Sequence, residues 1–433
     1  MSPLITGLVI FIFLFVLIAF KMPIGAAMGL LAFIGLWYLI SASAAFAKLA
    51  IVPFQIVTDY NLAVLPLFLL MAQVIVVTGM GSGLFNIANK WLGNLPGGVA
   101  QATIAGCAGF AAVSSSSIAT AATAGMIAIP EMKRLKYDPA LATGTVAAGG
   151  GIGILIPPSG VMIVYGILTE TSIGKLFAAG VIPGILEALL FMTVIGMLCI
   201  WRPALGPRGG KTSLKEKIAV LGEGWDIVLL IVLVLGGIIV GWFTPTEAGA
   251  VGAFGAIVIS LARRRLTWSK FREAILETLK TTGMIYGILI GAFVFNYFLA
   301  VTDIPSNVAN FVSNLALPPV LIIVVIMLIY LLLGCFLDAA AMTVLTIPIF
   351  FPIVMNLGFD PVWFGILVVM AMEMAMITPP IGMNVFVIAG IAKDVPIQTI
   401  FKGIMPFLLA EVILIAILIL APNIVLFLPK LMV

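Results

Sequence analysis

Four consecutive hydroxyl side chains, Ser114, Ser115, Ser116 and Ser117, stand in the middle of an otherwise apolar stretch, residues 97–130. Downstream, Gly149, Gly150, Gly151 and Gly153 lead into Ile154-Leu155-Ile156-Pro157-Pro158-Ser159-Gly160. A glycine-rich run ahead of a double proline does not continue as helix, because proline lacks the amide hydrogen and its ring clashes with the preceding turn. Broken helices expose carbonyls and amides, and an unsatisfied group of that kind is costly in hydrocarbon, so such breaks persist where they line a cavity or bind something. Carbonyl and hydroxyl oxygens suit a hard monovalent cation such as Na⁺. Helix N-termini suit a carboxylate.

A second set of such residues lies at Gly334-Cys335-Phe336-Leu337-Asp338 and at Met376-Ile377-Thr378-Pro379-Pro380-Ile381-Gly382-Met383-Asn384. An ionised carboxylate at Asp338 within a membrane needs a partner, and neither the stretch 319–354 nor 362–388 contains a Lys or Arg. A bound cation would supply the charge. Glu373, five residues before Thr378, is a rival cation or proton ligand, or else a packing or gating group. Thr244-Pro245-Thr246-Glu247 reads as a helix start with a capping box.

The elements that must hold these residues are membrane spans. Of 433 residues, 63% are hydrophobic and 9% charged, against a charged fraction of about a quarter in soluble proteins. Net charge is only +4, from 21 basic and 17 acidic residues, which leaves no surface for nucleic acid. Histidine is absent and Cys107, Cys199 and Cys335 stand apart, which excludes the usual zinc, haem and iron–sulfur ligand patterns and a His-based catalytic triad. No enzyme is expected. The first apolar run, residues 4–20, lacks a basic start and a cleavage site and reads as a retained span.

Apolar runs at 4–20, 23–40, 61–80, 140–166, 176–200, 227–243, 245–262, 281–302, 362–388 and 398–424 predict ten crossings. The interrupted stretches 97–130 and 319–354 predict re-entrant hairpins. Basic residues gather at Lys133, Arg134 and Lys136, at 202–217, at 263–272, and at Lys393 and Lys402, which places those segments in the cytoplasm. The first hairpin then opens to the cytoplasm and the second to the other side. Residues 41–60 and 264–280 read as amphipathic helices on the membrane surface, or as charged loops.

The chain also repeats itself. Pro23 and Pro245, Pro130 and Pro352, Asp138-Pro139 and Asp360-Pro361, Pro157-Pro158 and Pro379-Pro380, and Gly160 and Gly382 are all separated by 222 residues. The offset sets Asp338 opposite Ser116. Each half holds five crossings and a hairpin, and an odd count inverts the second half, as in secondary transporters. The expected fold is an all-α polytopic membrane protein with an inverted-topology repeat, two re-entrant helical hairpins and two broken transmembrane helices. Residues 1–200 form the first repeat, 201–226 a cytoplasmic linker and 227–433 the second.

Several motifs resemble the large membrane subunit of tripartite ATP-independent periplasmic (TRAP) transporters: Phe110-Ala111-Ala112-Val113 with the serine run, Ile129-Pro130-Glu131-Met132, Gly153-Ile154-Leu155-Ile156-Pro157-Pro158-Ser159, Thr244-Pro245-Thr246-Glu247-Ala248-Gly249, and Ile377-Thr378-Pro379-Pro380-Ile381-Gly382 with Asn384. The chain departs from the family pattern at Ser115, where glycine is common, and at Gly151, where threonine is common. The resemblance implies an elevator-type transporter of the ion-transporter superfamily in the bacterial inner membrane. Such a subunit works with a small four-helix membrane subunit and a periplasmic substrate-binding protein, and imports an organic acid with Na⁺ as coupling ion. Carried over by motif, one sodium site uses Ser114 and Ser116 with backbone oxygens around Gly153, Ile156 and Pro158. A second uses Asp338 and Thr378 with backbone near Gly334 and Met376. The substrate would lie between the hairpin tips, near Ser115, Ser117, Thr343 and Asn384.

Two other transport readings stay open on the residues alone. A stand-alone sodium:dicarboxylate symporter of related fold would need no binding protein. An ATP-driven permease would need an ATPase, and this chain has no phosphate-binding Gly-rich loop with Lys.

Overall fold

A computed structural model describes residues 2–210, 212–314 and 317–432. Lys211 of the linker, and residues 1 and 433 that bound the expected halves, lie outside the described residues. All regular structure among the described residues is helical.

The first half runs α1 (Pro3–Ala19), α2 (Ile24–Leu39), α3 (Ala42–Thr58), α4 (Val64–Thr78), α5 (Ser82–Leu92), α6 (Gly98–Ser114), α7 (Ser117–Arg134), α8 (Pro139–Gly151), α9 (Gly160–Thr169) and α10 (Ile173–Trp201). A linker helix, α11 (Leu214–Val220), leads to α12 (Trp225–Ile231), which passes through a π-helical turn into α13 (Gly237–Ile239). The second half continues with α14 (Pro245–Ala262), α15 (Trp268–Thr302), α16 (Ile304–Asn314), α17 (Pro319–Leu333), α18 (Ala339–Asn356), α19 (Pro361–Ile377), α20 (Met383–Ile391), α21 (Ile397–Leu420) and α22 (Asn423–Leu431).

Local chemistry sets many of these starts. Asp138 Oδ1 accepts from Ala140 N (2.9 Å) and Leu141 N (3.1 Å), and Asp360 Oδ1 accepts from Val362 N (2.8 Å) and Trp363 N (3.1 Å), with a proline at the first helical position after each. Thr244 and Glu247 form the expected capping box at the head of α14.

The repeat is visible in the element boundaries. Helices α5, α7 and α8 start at 82, 117 and 139, and α16, α18 and α19 start at 304, 339 and 361, each 222 residues on. Two contacts then bear on the sense of the halves. Tyr165 Oη, near the end of α9, donates to Pro361 O at the start of α19 (2.6 Å). Lys133, at the end of α7, pairs with Asp394 between α20 and α21. The α7/α8 turn therefore shares one end of the molecule with the α20/α21 turn, while the α18/α19 turn shares the other end with α9/α10. Equivalent turns thus have different neighbours, an arrangement consistent with an inverted repeat.

Among the described residues, six helices are at least 18 residues long and apolar enough to cross a membrane: 60–78, 173–201, 245–262, 268–302, 339–356 and 397–420. That is fewer than the ten crossings expected from hydropathy. The runs 4–20 and 23–40 form helices of 17 and 16 residues, and 140–166 and 362–388 are each split at the double proline into α8/α9 and α19/α20.

One expectation is corrected. Residues 264–280 do not form a separate surface helix, because α15 runs unbroken for 35 residues from Trp268 to Thr302. In the first half the equivalent path is interrupted at Asp59, whose extended backbone (ψ 118°) and side chain accepting from Asn61 N (2.8 Å) end α3. At the equivalent positions Thr281-Thr282-Gly283 the chain stays helical. Lys48 of α3 lies 3.2 Å from the ring centroid of Tyr297 on α15, tying the two arms together.

Candidate functional site

The first hairpin turns at Ser115, which adopts the left-handed conformation (φ 55°) between α6 and α7. Ser116 is extended, and its hydroxyl accepts from Ala119 N (3.3 Å), capping α7. The Ser116 carbonyl oxygen accepts from Thr120 N (3.0 Å) in the first turn of α7. Thr120, one turn on, donates to Ser116 O (2.8 Å) and lies 2.6 Å from Ser114 Oγ. Three oxygens thus converge in a space where Ser114 and Thr120 are both buried.

The broken helix closes the space. After α8 the backbone tightens through a 3₁₀ turn at Ile152–Ile154, then passes a cis Pro157-Pro158 bond to α9, capped by Ser159. A Cβ at Gly153 would lie 2.7 Å from both Ser116 O and Thr120 Oγ1. Glycine is needed here because the hairpin tip seats directly on the break. Ile156 and Pro158 do not present side-chain ligands. Ile156 fills the space left by Gly184 of α10, where a Cβ would meet its Cγ1 at 2.4 Å.

The second tip differs. Asp338 caps α18, with Oδ1 accepting from Ala341 N (3.0 Å), yet its side chain is exposed. It lines a cavity of about 700 Å³ walled mainly by α2 and α15. The expected buried, unpartnered acid is therefore an acid at a cavity wall. Gly334 packs on α19, where a Cβ would meet Ala375 Cβ at 2.2 Å, and Cys335 Sγ approaches Pro379 O (4.0 Å). Thr378 donates to Met374 O (2.6 Å) beside Met376, just ahead of the cis Pro379-Pro380 bond.

Among the four residues expected at the substrate, Asn384 and Ser117 touch. Asn384 Nδ2 donates to Ser117 Oγ (2.7 Å) and to Ala147 O (3.3 Å), bridging the second broken helix to the first hairpin and to α8. Asn384 Oδ1 and Ser115 Oγ are buried without a partner. Thr343 turns elsewhere, donating to Ala339 O (2.7 Å) within α18 and lying against Met372 Sδ.

Two features lay beyond the sequence reading. Thr120 belongs to the oxygen cluster, and its spacing of four from Ser116 on one helix was the available signal. Glu373 meets two further carboxylates, Glu187 and Glu411. Residues 97–130, 140–166, 319–354 and 362–388 contain no Lys or Arg, so a bound anion would depend on cations, hydroxyls and helix N-termini.

Comparison with known proteins agrees with this architecture. The family model "Tripartite ATP-independent periplasmic transporter, DctM component" matches residues 11–424. A C4-dicarboxylate TRAP transporter large permease protein of Pseudomonas aeruginosa is 39% identical over 88% of this chain and 89% of its own length. A sialic acid TRAP transporter large permease protein of Vibrio cholerae is 31% identical over 87% of each. Among solved structures, the YdaH transporter of Alcanivorax borkumensis superposes with a TM-score of 0.65 over 88% of each chain at 14% identity, a likeness of fold.

Proposed function

Because this multi-pass membrane chain belongs to the DctM component family of tripartite ATP-independent periplasmic transporters, we propose that it imports an organic acid across the bacterial inner membrane by Na⁺ symport. A periplasmic substrate-binding protein delivers the acid, and a small four-helix membrane subunit completes the permease. The relatives named for C4-dicarboxylates and sialic acid support an organic acid as cargo.

The observation that carries the reading is the packing of Gly153 against Ser116 O and Thr120 Oγ1 beside Ser114. It gathers backbone and hydroxyl oxygens, with no Lys or Arg in residues 97–130 or 140–166, at a break between helices. That donor set suits Na⁺. Asp338 and Thr378, with backbone near Gly334 and Met376, form the second ion site. Substrate sits by Ser115, Ser117 and Asn384, held by bound Na⁺, hydroxyls and helix N-termini. A helix terminus contributes about 0.3–2 kcal/mol, less than the several kcal/mol that desolvating an anion costs. Sodium is then part of the substrate site, and the two bind with reciprocal coupling.

The motion is an elevator. Each hairpin is seated on its own broken helix at Gly153 and Gly334, and Asn384 joins the halves, so these elements move as one body. Across the cavity at Asp338, α2 and α15 form the static side, held close where Gly25 meets Gly287 and Gly291.

Uptake of candidate acids into proteoliposomes, with and without an inward Na⁺ gradient and a cognate binding protein, tests the proposal. Uptake should require both. Uptake independent of sodium would overturn it.

A further inference from the structure

Glu187 of α10, Glu373 of α19 and Glu411 of α21 bring their carboxylates together, with one oxygen of each within 4.8 Å of the others. Their residues are 1%, 1% and 2% exposed, and all six carboxylate oxygens lack a hydrogen-bond partner. The basic residues of α10 and α21, Lys175 and Lys402, stand near the helix starts. Among the described residues no ion pair reaches the three acids.

The surroundings are built for this group. A Cβ at Gly151, the last residue of α8, would lie 2.7 Å from Glu373 Oε1, so glycine there leaves room for the carboxylate. One turn along, Phe191 and Phe407 stack edge to face at 5.2 Å and close the side between α10 and α21.

Three bare carboxylates in a dry interior repel one another and have lost their water, so the cluster must either share protons or hold compensating positive charge. We infer that Glu187, Glu373 and Glu411 form a site for a divalent hard cation of the calcium class. Calcium takes six to eight oxygens at about 2.3–2.6 Å, and three carboxylates can give it between three and six of them according to whether each binds through one oxygen or both. Magnesium, which demands a tighter octahedron and keeps water, fits the enclosed pocket less well. The ion would clamp α10, α19 and α21 beside the first break, on residues separate from the proposed sodium ligands.

The test uses the full chain purified in detergent and stripped with a chelator. Calorimetric titration with Ca²⁺ should show one ion per chain, and the unfolding temperature should rise with Ca²⁺ more than with Mg²⁺. Glu187→Gln and Glu411→Gln should each weaken Ca²⁺ binding at least tenfold, and Gly151→Ala should weaken it without altering charge. Ser114→Ala should leave it unchanged. The inference is overturned if the stripped wild-type chain takes up no Ca²⁺ and its unfolding temperature ignores the ion, a result that does not depend on any variant folding. It is equally overturned if the glutamine variants bind Ca²⁺ like wild type.

Discussion

Replacing Gly153 with alanine isolates the contact between the first hairpin and the first broken helix. The added Cβ would sit 2.7 Å from Ser116 O and Thr120 Oγ1 and 3.0 Å from Ser116 C, all on one tip. Ordinary non-bonded contact is roughly 3.5 Å, so tip and break must separate by about 0.8 Å. Cation–ligand distances tolerate only about 0.2 Å. The displaced oxygens should cost roughly 10- to 100-fold in sodium affinity, a range typical of disturbed metal surroundings. Overpacking adds a destabilisation of about 1–3 kcal/mol. In proteoliposomes the sodium concentration for half-maximal uptake should rise by that factor. Gly160→Ala is the control, because a Cβ there meets nothing within 4 Å. A folded Gly153→Ala variant with the parental sodium requirement would refute the assignment of these oxygens to an ion.

Asp338→Asn should abolish sodium-driven uptake while preserving the fold, since asparagine caps a helix about as well as aspartate; uptake at the parental rate with unchanged sodium dependence would remove Asp338 from the ion site. Asn384→Ala deletes the bonds to Ser117 and Ala147 and should lower stability by about 1–3 kcal/mol, read as a fall in unfolding temperature together with loss of uptake. Arg263→Ala leaves the buried Asp226 carboxylate without the guanidinium that lies 2.9 Å from it. That should cost about 3–5 kcal/mol, and Asp226→Asn in the same chain should restore much of the loss; a single variant as stable as wild type would show that the pair is not structural.

The elements set by local rules were the legible ones. Ser116 and Asp338, or Asp138 and Asp360, announce helix starts wherever they stand, and the double prolines announce breaks, so hairpins, interruptions and the repeat could be read along the chain. Helices α5 and α16 were missed because each is only 11 residues, too short for a spanning pattern. The fusion of 268–280 with the following span depends on the lack of a breaker at Thr281, a negative signal that is easily overlooked. In the site, Ser114 and Gly153 carried a motif, whereas Thr120 was hidden in an arm rich in Thr and Ala. Glu187, Glu373 and Glu411 each look solitary in a different apolar run. Only the packing of α10, α19 and α21 places them side by side, and no periodicity encodes that.

The contact between Gly151 and Glu373 bears on ancestry. These positions are 222 residues apart, which makes them the same position in the two repeats, and they touch. Equivalent residues meet only close to the axis that relates the halves. In a half-length ancestor pairing with an inverted copy of itself, that position would have faced its own duplicate. Two glycines would leave a void, and two glutamates would oppose like charges. Joining both copies in one gene lets the two sides diverge, one supplying the acid and the other the room for it. Exchanging them, Gly151→Glu with Glu373→Gly, should therefore recover more stability than Gly151→Glu alone retains. Thermal unfolding of the three proteins measures the difference, and a double variant no better than the single one would show that the site is no longer symmetric enough to reverse.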